Sequence, residues 1–461
     1  MRNREAKRHE HAGSIMILGV FLGLFGGHPA AWRHPDAPSA KAYTDLSLYV
    51  EFARQLEAEK LDLLFLADVP AIREGNMDAL RRFSAYMMQL EPLTLLSGIA
   101  ASTSRIGLAA TMSTSFSEPY NLARQFASLD HLSNGRSAWN LVTTSSSAAS
   151  LNFGSKTQVP HADRYRQARE FAHVVCRLWD GWDADAVVGD REQGILFDPS
   201  KIRRAEHAGE FYNVRGPLNI PRPPQDRPLI IQAGGSEAGK DLAAEISDIV
   251  FSAEPNKERA SAFYRDLKGR LARFGRNPSD LKILYQLTPI VCQSKHEAED
   301  RRLRLESLLH ISVAREILSF DLGGVDLSDL PDDEPIPAHR IPSDTAGGKT
   351  YLEIIRSISS GATLQDVAHR YAASRGGLTL VGQAEEIADE MEAWISSESA
   401  DGFMIGFSSV PDDWPAFRDM LLPELRRRGL VKSEYTGRTL REHLGLTEVA
   451  AIKSGSALWT N

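Results

Sequence analysis

The chain has 461 residues, 42% hydrophobic and 25% charged, with a formal net charge of −8. This balance is typical of a globular enzyme, and the absence of a long Lys/Arg run argues against a nucleic-acid partner. The two cysteines, Cys176 and Cys292, form no CxxC pair, so we expect neither a disulfide framework nor a cysteine zinc site, and a reducing, cytoplasmic compartment.

The N-terminal segment has two interpretations. A charged stretch precedes the apolar run IMILGVFLGLFGG (15–27). Together they are either a signal peptide or a tail followed by a buried first strand. The second interpretation is favoured because Glu5 and Glu10 lie in the basic region and no A-x-A site follows. The run is also shorter than the roughly 20 apolar residues that span a bilayer, so we expect no membrane association.

Near-continuous apolar runs alternate with helical patterns along the chain. Such runs are typical of parallel strands that are covered on both faces. Between them, 45–59 and 163–182 carry apolar residues at helical spacing. Eight alternations predict an α/β protein with a (β/α)8 TIM barrel; an open doubly wound sheet is the alternative. The predicted strands are 15–22, 62–67, 106–112, 137–143, 228–233, 248–253, 282–292 and 401–408.

Two long excursions interrupt the alternation, after strands four and seven. The first covers 183–227, and the second covers 293–400, with a charged helix, an acidic Pro-rich segment and two further helical stretches. Long insertions in a barrel often cover the site, so the acidic segment 321–348 is either a lid or a plain surface loop. The expected layout is a tail at 1–14, one barrel domain at 15–446 and a tail at 447–461.

The sequence DHLSNGR precedes strand four and contains residue types that are common in catalytic sites. Barrel sites lie at the carboxyl ends of the strands, whereas this stretch lies at the amino end of its strand. We therefore predict that Asp130, His131, Gly135 and Arg136 form a structural turn.

Polar residues follow strands two, three and four. Asn140 lies within strand four, where a buried amide that both donates and accepts suits the edge of a heterocycle such as a flavin; a backbone hydrogen bond is the alternative. Asp68 is either a site carboxylate or a helix cap. The hydroxyl cluster that begins at Thr111 is either part of the site or ordinary turn chemistry.

Two further motifs suit a phosphate group. In QAGGSEAG, Gly235 permits close backbone approach, and Ser236 precedes a helix whose first N–H groups are free. A plain turn with a serine cap is the alternative. The spacing of the glycines does not match the GxGxxG motif of dinucleotide-binding proteins. His161 and Tyr165 share one face of a helix and both can donate to a phosphate. A metal pair is the rival, but HADRY lacks the carboxylate and second histidine of a zinc helix, so no metal is predicted.

The segment after strand one is the last candidate. His28, Trp32, Arg33 and His34 would line the mouth of the barrel, or they are packed without a role. Arg33 and His34 would favour an anionic or polar substrate group.

At these residues the chain resembles the nitrilotriacetate monooxygenase component A group of the bacterial luciferase-like flavin-dependent monooxygenases. The resemblance runs in order from about residue 17 to residue 446. The stretches that carry it include WRHPDA (32–37), FLAD (65–68), TMSTSFSEPYNLARQFASLDHLSNGRSAWNLVTT (111–144), HADRYRQAREF (161–171), QAGGSEAG (232–239) and EYTGRTLREHLGL (434–446).

The resemblance implies a barrel that uses reduced FMN as a co-substrate with dioxygen. It also implies a separate NAD(P)H:flavin oxidoreductase as partner and a homodimer or homotetramer. Residues Ala67, Asp68, Thr111 and Asn140 would flank the flavin ring and ribityl chain. The phosphate would be held by His161, Tyr165, Gly235 and Ser236. His28 is the candidate for a polar catalytic group near the reacting oxygen.

Two departures from the family pattern matter. Many relatives have a second histidine directly after the position of His28, where this chain has Pro29, and Ser145 stands where the long-chain alkane enzyme has a histidine. The substrate class stays open among organosulfur compounds, aminopolycarboxylates and hydrocarbons or heterocycles, with contacts expected from loops 28–38, 145–160 and 320–350. The alternatives are a deazaflavin-dependent hydride-transfer enzyme and a non-catalytic FMN-binding protein.

Overall fold

The computed structural model describes residues 15–83, 87–144, 146–154, 161–343 and 349–447. Its centre is a closed barrel of eight parallel strands. These are β1 Ile17–Phe21, β2 Leu63–Leu66, β3 Gly107–Ser113, β4 Ser137–Val142, β5 Leu229–Gln232, β6 Ile249–Ser252, β7 Lys282–Val291 and β8 Gly402–Ile405. Val20 of β1 lies opposite Leu64 of β2 on one side and Ile405 of β8 on the other. The barrel prediction is confirmed, and the open-sheet alternative is wrong because β1 closes the sheet.

The first apolar run is therefore a barrel strand, as the favoured interpretation predicts. Each of the eight predicted strands is present, with ends that differ by at most three residues. Among the described residues, no helix combines the length and the apolar character needed to cross a membrane. Both Cys176 and Cys292 are buried free thiols.

The outer layer consists of helices that pack their apolar faces against the barrel. Helix α1 covers 46–58 where 45–59 was predicted, and it begins where the Asp45 carboxylate accepts the Ser47 N–H at 2.9 Å. The helices before β7 are α1 Leu46–Ala58, α2 Met77–Leu80, α3 Pro92–Ala100, α4 Pro119–Ser133, α5 Ser147–Asn152, α6 His161–Trp179, α7 Glu237–Ile246 and α8 Lys257–Arg270. After β8 follow Val410–Ala416, a π-helical turn Phe417–Leu421, Leu422–Arg427 and Leu440–His443.

The lower end of the barrel is closed by the DHLSNGR turn and the C-terminal segment. The Asp130 carboxylate accepts from the Ser137 hydroxyl at 2.9 Å and from the Gln225 side chain at 2.6 Å. Arg136 is buried and donates to carbonyl oxygens, among them that of Ile106 at 2.7 Å. These groups tie α3, α4, β3 and β4 together, so the prediction of a structural turn is confirmed.

The first excursion contains two small antiparallel hairpins. One pairs Val187–Asp190 with Ile195–Phe197, and the other pairs His207–Ala208 with Asn213–Val214. A salt bridge between Asp180 and Arg227, both largely buried, joins the two ends of the excursion next to the barrel.

The second excursion has its own hydrophobic core, which includes Ile317, Leu318, Ile355 and Tyr371. We call residues 293–400 the insertion. Its helices are α9 Lys295–Ser307, α10 Ile311–Asp321, α11 Lys349–Ser359, α12 Leu364–Ser374 and α13 Ala384–Ser396. Helix α10 was not predicted, nor was strand Leu378–Gly382, which pairs in parallel with the second half of β7.

The described part of the acidic segment packs onto the insertion. Leu327 and Ile336 are buried in its core, and the Arg315 guanidinium binds the Asp332 carboxylate at 2.6 Å. Residues 344–348 lie outside the described residues. The described part therefore belongs to the body of the insertion, because its apolar side chains have partners there.

Candidate active site

The carboxyl ends of the eight strands surround the mouth of the barrel, and this mouth has two halves. The predicted flavin residues follow or end β2, β3, β4 and β5. The remaining strands, β1, β6, β7 and β8, open onto a cavity beneath the insertion. The mouth therefore has a polar half at the ends of β2 to β5 and a second half, at the ends of β1, β6, β7 and β8, that faces the insertion.

Asn140 and Thr111 occupy the centre of the polar half. They lie opposite each other in the β3–β4 register, and the Asn140 Nδ2 donates to the Thr111 Oγ1 at 2.8 Å. Both side chains are buried, and the Asn140 Oδ1 has no hydrogen-bond partner among the described residues. A buried amide oxygen without a partner is costly, so this site is suited to a ligand that donates a hydrogen bond.

Ala67 and Asp68 follow β2 at the edge of the polar half. The Ala67 carbonyl accepts from the Gln89 side chain. Asp68 does not cap a helix, because α2 begins only at Met77 and is capped by Asn76. Burial, and then the charge of Glu91, raises the pKa of Asp68 to about 6.

The GGS turn after β5 lies against helix α6. Ser236 caps α7, with its Oγ accepting the Gly239 N–H at 3.1 Å, so the hydroxyl proton stays available to a ligand. A Cβ added at Gly234 would lie 3.0 Å from the Tyr165 hydroxyl, and one added at Gly239 would lie 3.1 Å from it. The fold thus brings Tyr165, the serine cap and the free N–H groups of the first helical turn together.

Gly234 and Gly235 differ sharply in their surroundings. The position of a Cβ at Gly234 is filled by the Gln232 and Tyr165 side chains, whereas no atom of the described residues, apart from the chain neighbours, lies within 4 Å of a Cβ at Gly235. Gly235 therefore faces open space at the N-terminus of α7, where the helix dipole and the N–H groups favour an anion.

His161 begins helix α6, four residues before Tyr165, but its side chain lies outside the described residues, as do residue 145 and residues 155–160. The buried Arg164 lies between them in sequence and donates to the Thr144 carbonyl at 3.4 Å. The start of α6 thus faces the ends of β4 and β5, as the predicted phosphate site requires.

Three aromatic rings close the barrel interior below the mouth. Phe21, Phe65 and Phe251 come from β1, β2 and β6, and their ring centroids lie 5.4, 5.6 and 5.6 Å apart. They belong to the apolar inner core of the barrel. A bound ring system would rest above this floor, out of contact with water from below.

His28 follows β1 and belongs to the second half of the mouth. Its side chain is 3% exposed, and its Nδ1 accepts the Ala30 N–H at 3.2 Å. In the neutral ring the proton is therefore on Nε2, which is buried and has no partner in the described part of the chain. Burial, and then the charge of His369, lowers the pKa of His28 to about 4. At neutral pH His28 presents an uncharged donor.

A cavity of about 310 Å³ separates this half of the mouth from the insertion. We call it the interface cavity. The barrel contributes His28, Pro255, Ile290 and Ser408, which come from the ends of β1, β6, β7 and β8. All other lining residues belong to α9, α11, α12 and the segment 376–379. No described residue of 145–160 or 320–343 lines it, and of the loops that the sequence predicts to contact substrate only 28–38 contributes to this cavity, through His28.

The other candidates after β1 connect the barrel to the insertion and neighbouring loops. Arg33 donates to the Leu308 carbonyl, and His34 pairs with Asp412 at 3.1 Å. Trp32 donates to the Arg82 carbonyl at 3.0 Å. Because these polar groups have partners, the structure does not support the sequence interpretation in which Arg33 and His34 meet an anionic substrate.

Comparisons with known proteins place this geometry in context. Residues 26–399 match the family model of the luciferase-like monooxygenases. The chain is 42% identical to N-acetyl-S-(2-succino)cysteine monooxygenase of Bacillus subtilis (strain 168) over 93% of this chain and 96% of that protein. It is 39% identical to nitrilotriacetate monooxygenase component A of Aminobacter aminovorans, over 94% and 97% of the two chains.

Solved structures agree with the fold. The crystal structure of DmoA from Hyphomicrobium sulfonivorans has a TM-score of 0.85 and 31% identity over 93% of this chain and 92% of that chain. An F420-dependent secondary alcohol dehydrogenase has a TM-score of 0.55 at 13% identity, a likeness that extends to the fold alone.

Proposed function

Because the chain belongs to the luciferase-like monooxygenase family, we propose that it oxygenates a small organic substrate with dioxygen and reduced FMN. Its relatives are two-component flavin-dependent monooxygenases. The choice of FMN is supported by two features that occur together in the mouth. The Asn140 Oδ1 is a buried amide oxygen without a partner among the described residues, and the N-terminus of α7 is open at Gly235.

The polar half of the mouth fits the two chemical ends of FMN. Asn140 and Thr111 would meet the ring, whose N–H groups are donors that the Asn140 Oδ1 needs. Ala67 and Asp68 lie at the edge of the same half, beside the ribityl chain in this proposal. Because Asp68 has a raised pKa, it is partly protonated near pH 6 and can then donate to a hydroxyl or ring oxygen.

The phosphate would lie at the N-terminus of α7. Ser236 and the first N–H groups of the helix donate, Gly235 leaves room, and Tyr165 lies against the same turn. His161, four residues before Tyr165 on α6, completes the proposed set. A dianionic phosphate is stabilised at a helix N-terminus by the helix dipole and by unpaired N–H donors.

Reduced FMN, when bound, supplies two electrons, so that one atom of dioxygen enters the substrate and the other leaves as water. The chain itself contributes three things. The phenylalanine floor keeps water out from below, the insertion covers the mouth from above, and His28 donates an Nε2–H toward the interface cavity. An uncharged donor stabilises negative charge that develops on oxygen without first giving up a proton.

A deazaflavin-dependent hydride transfer is not favoured, because the relatives named above with 42% and 39% identity are monooxygenases, whereas the F420-dependent structure shares the fold alone. A protein that binds FMN without catalysis is the remaining alternative. The proposed partner is a separate NAD(P)H:flavin oxidoreductase, in keeping with a relative named component A. We also propose a homodimer or homotetramer of a single barrel domain over residues 15–446.

The test supplies the purified chain with FMN, NADH, a flavin reductase and ¹⁸O₂. Probes are nitrilotriacetate, a thioether and dibenzothiophene sulfone, which represent substrate classes named among the relatives. A product that gains one ¹⁸O atom, absent when the chain is omitted, supports the proposal. Tight binding of reduced FMN with no labelled product from any probe class would favour the non-catalytic alternative. Equal turnover without dioxygen would contradict oxygenation.

A further inference from the structure

The interface cavity has an unequal distribution of charge and polarity. The insertion contributes apolar side chains to its lining: Leu305 from α9, Ile354 and Ile358 from α11 and Ala373 from α12. At its barrel end is the Nε2–H of His28, which has no partner among the described residues. This lining suits a ligand with an apolar body, and an acceptor at its barrel end would add a hydrogen bond from His28. The volume of the interface cavity is at the lower end of the range for ligand pockets.

Three charged side chains line the cavity: Arg302, Glu306 and Arg370. Arg302 is bound by Glu306 and also by Glu299, a carboxylate that does not line the cavity. These charges are therefore satisfied within α9. For Arg370, the structure shows no hydrogen bond or ion pair to any described residue. Arg370 is exposed at the rim, on the exposed side of α12, and it is the lining cation that has no carboxylate partner there.

We propose that the interface cavity is the substrate site of this monooxygenase, and that the substrate carries a carboxylate or similar small anion that Arg370 binds. The proposal rests on the proposed function and narrows its substrate class. A guanidinium presents paired N–H donors that match a carboxylate in a bidentate way. A wholly hydrocarbon substrate would leave the buried donor of His28 without a partner, so the geometry disfavours that class.

The position of the cavity supports this assignment. His28 and Ser408 place one end of it at the barrel mouth, beside the strand ends that hold the proposed flavin site. Arg370 lies on α12 of the insertion. The substrate anion would thus be held by the insertion while its apolar body extends toward the barrel. In this arrangement Arg370 determines which substrates bind. Within the described part of the chain, Arg370 has no hydrogen bond or ion pair with the proposed flavin residues.

The experiment measures binding to the full chain by calorimetry, with matched pairs of acid and amide. The probes are 3-(methylthio)propanoate with 3-(methylthio)propanamide, and hexanoate with hexanamide. We expect each acid to bind about tenfold more tightly than its amide, with the preference falling as salt rises. Arg370→Gln should bring the two affinities together, and Arg370→Lys should keep part of the preference. Arg191→Gln removes the same charge from an exposed hairpin turn outside the cavity and should leave the preference unchanged.

Equal affinity for acid and amide in the unmodified chain would overturn the proposal, as would a preference that persists in Arg370→Gln or no binding of either acid at millimolar concentration. Titration of each variant with reduced FMN under anaerobic conditions separates a failure of the anion site from a failure of the proposed function. Normal FMN binding without an acid preference defeats the anion site alone. Failure of the unmodified chain to bind FMN defeats the proposed function, whatever the acids do.

Discussion

The side-chain amide of Asn140 donates to the hydroxyl oxygen of Thr111 at 2.8 Å, and this bond leaves the Asn140 Oδ1 as a buried acceptor in the barrel mouth. The two residues sit on neighbouring strands in direct register. The hydrogen bond thus fixes the orientation of the amide, so that its oxygen, and not its nitrogen, meets a ligand.

Replacement of Asn140 by Ala should weaken FMN binding about tenfold, because one buried hydrogen bond to the ring is lost. Thr111→Val should have a smaller effect in the same direction, since it frees the amide to rotate. Fluorescence titration with FMN gives both affinities. Asn121→Ala, on an exposed face of α4, is the matched control and should bind FMN normally. Unchanged affinity in Asn140→Ala would remove Asn140 from the flavin site.

Gly234 and Gly235 provide a paired test of the phosphate site. Gly234→Ala forces the added methyl against the Gln232 and Tyr165 side chains and should lower the stability of the flavin-free protein by about 1–3 kcal/mol. At Gly235 the added methyl meets no described residue other than its chain neighbours within 4 Å, so Gly235→Ala should leave that stability unchanged. If the phosphate lies there, the same methyl should weaken FMN binding. Thermal unfolding without FMN and titration with FMN measure the two effects separately.

The companion substitution is Ser236→Asp. It keeps a side chain that can cap α7, but it places a carboxylate next to the proposed phosphate position. We expect normal folding and weakened FMN binding, with a smaller loss for riboflavin, which lacks the phosphate. Equal effects on FMN and riboflavin would contradict the phosphate assignment.

His28 should act as an uncharged donor. Its pKa is lowered from 6.5 to about 4 by burial, so it stays neutral through the range in which an ordinary histidine titrates. Nitrogen NMR of ¹⁵N-histidine-labelled protein should show an Nε2–H tautomer for the signal that is lost in His28→Gln. His28→Phe should lower turnover about tenfold or more while FMN affinity stays the same, and His28→Gln, which keeps an N–H donor, should retain more activity. A protonated ring at pH 7 would contradict this assignment.

Asp413 should give the protein a distinctive dependence of stability on pH. Burial raises its pKa to about 7, and its carboxylate accepts the Ser409 N–H at 2.9 Å beside the cavity residue Ser408. Between about pH 4 and pH 7 the unfolded chain loses this proton while the folded chain keeps it, so folding stability falls as pH rises through this window. Above about pH 7 the contribution is constant.

Asp413→Asn keeps an acceptor for Ser409 and removes the titration. The free energy of unfolding of the unmodified protein, relative to this variant, should therefore fall by up to about 1.4 kcal/mol per pH unit between pH 5 and pH 7. Urea unfolding at several pH values measures the difference. Asp185→Asn, at a side chain that is 75% exposed, is the surface control. Parallel pH curves for the unmodified protein and Asp413→Asn would rule out a proton on Asp413.

The sequence alone determined the barrel and the polar half of its mouth. The apolar runs are local patterns, and a strand that is buried on both faces needs no information from distant residues to be recognised. Asn140 and the GGS turn were predicted as site residues for the same reason, because the first lies within such a run and the second follows one. The turn at Asp130 was assigned correctly from its place before a strand, since strand direction decides which end of a barrel a residue occupies.

Only the tertiary structure decided the other half of the mouth. Arg370 belongs to an ordinary charged helix in the sequence, and it becomes a cavity residue because the insertion packs its own core and lies over β1, β6, β7 and β8. The same packing gives Arg33 and His34 partners that their sequence positions do not reveal. The state of His28 likewise depends on burial and on the Ala30 N–H. Contacts between segments hundreds of residues apart arise from packing and leave no periodic pattern in the chain, so they are visible only in the folded molecule.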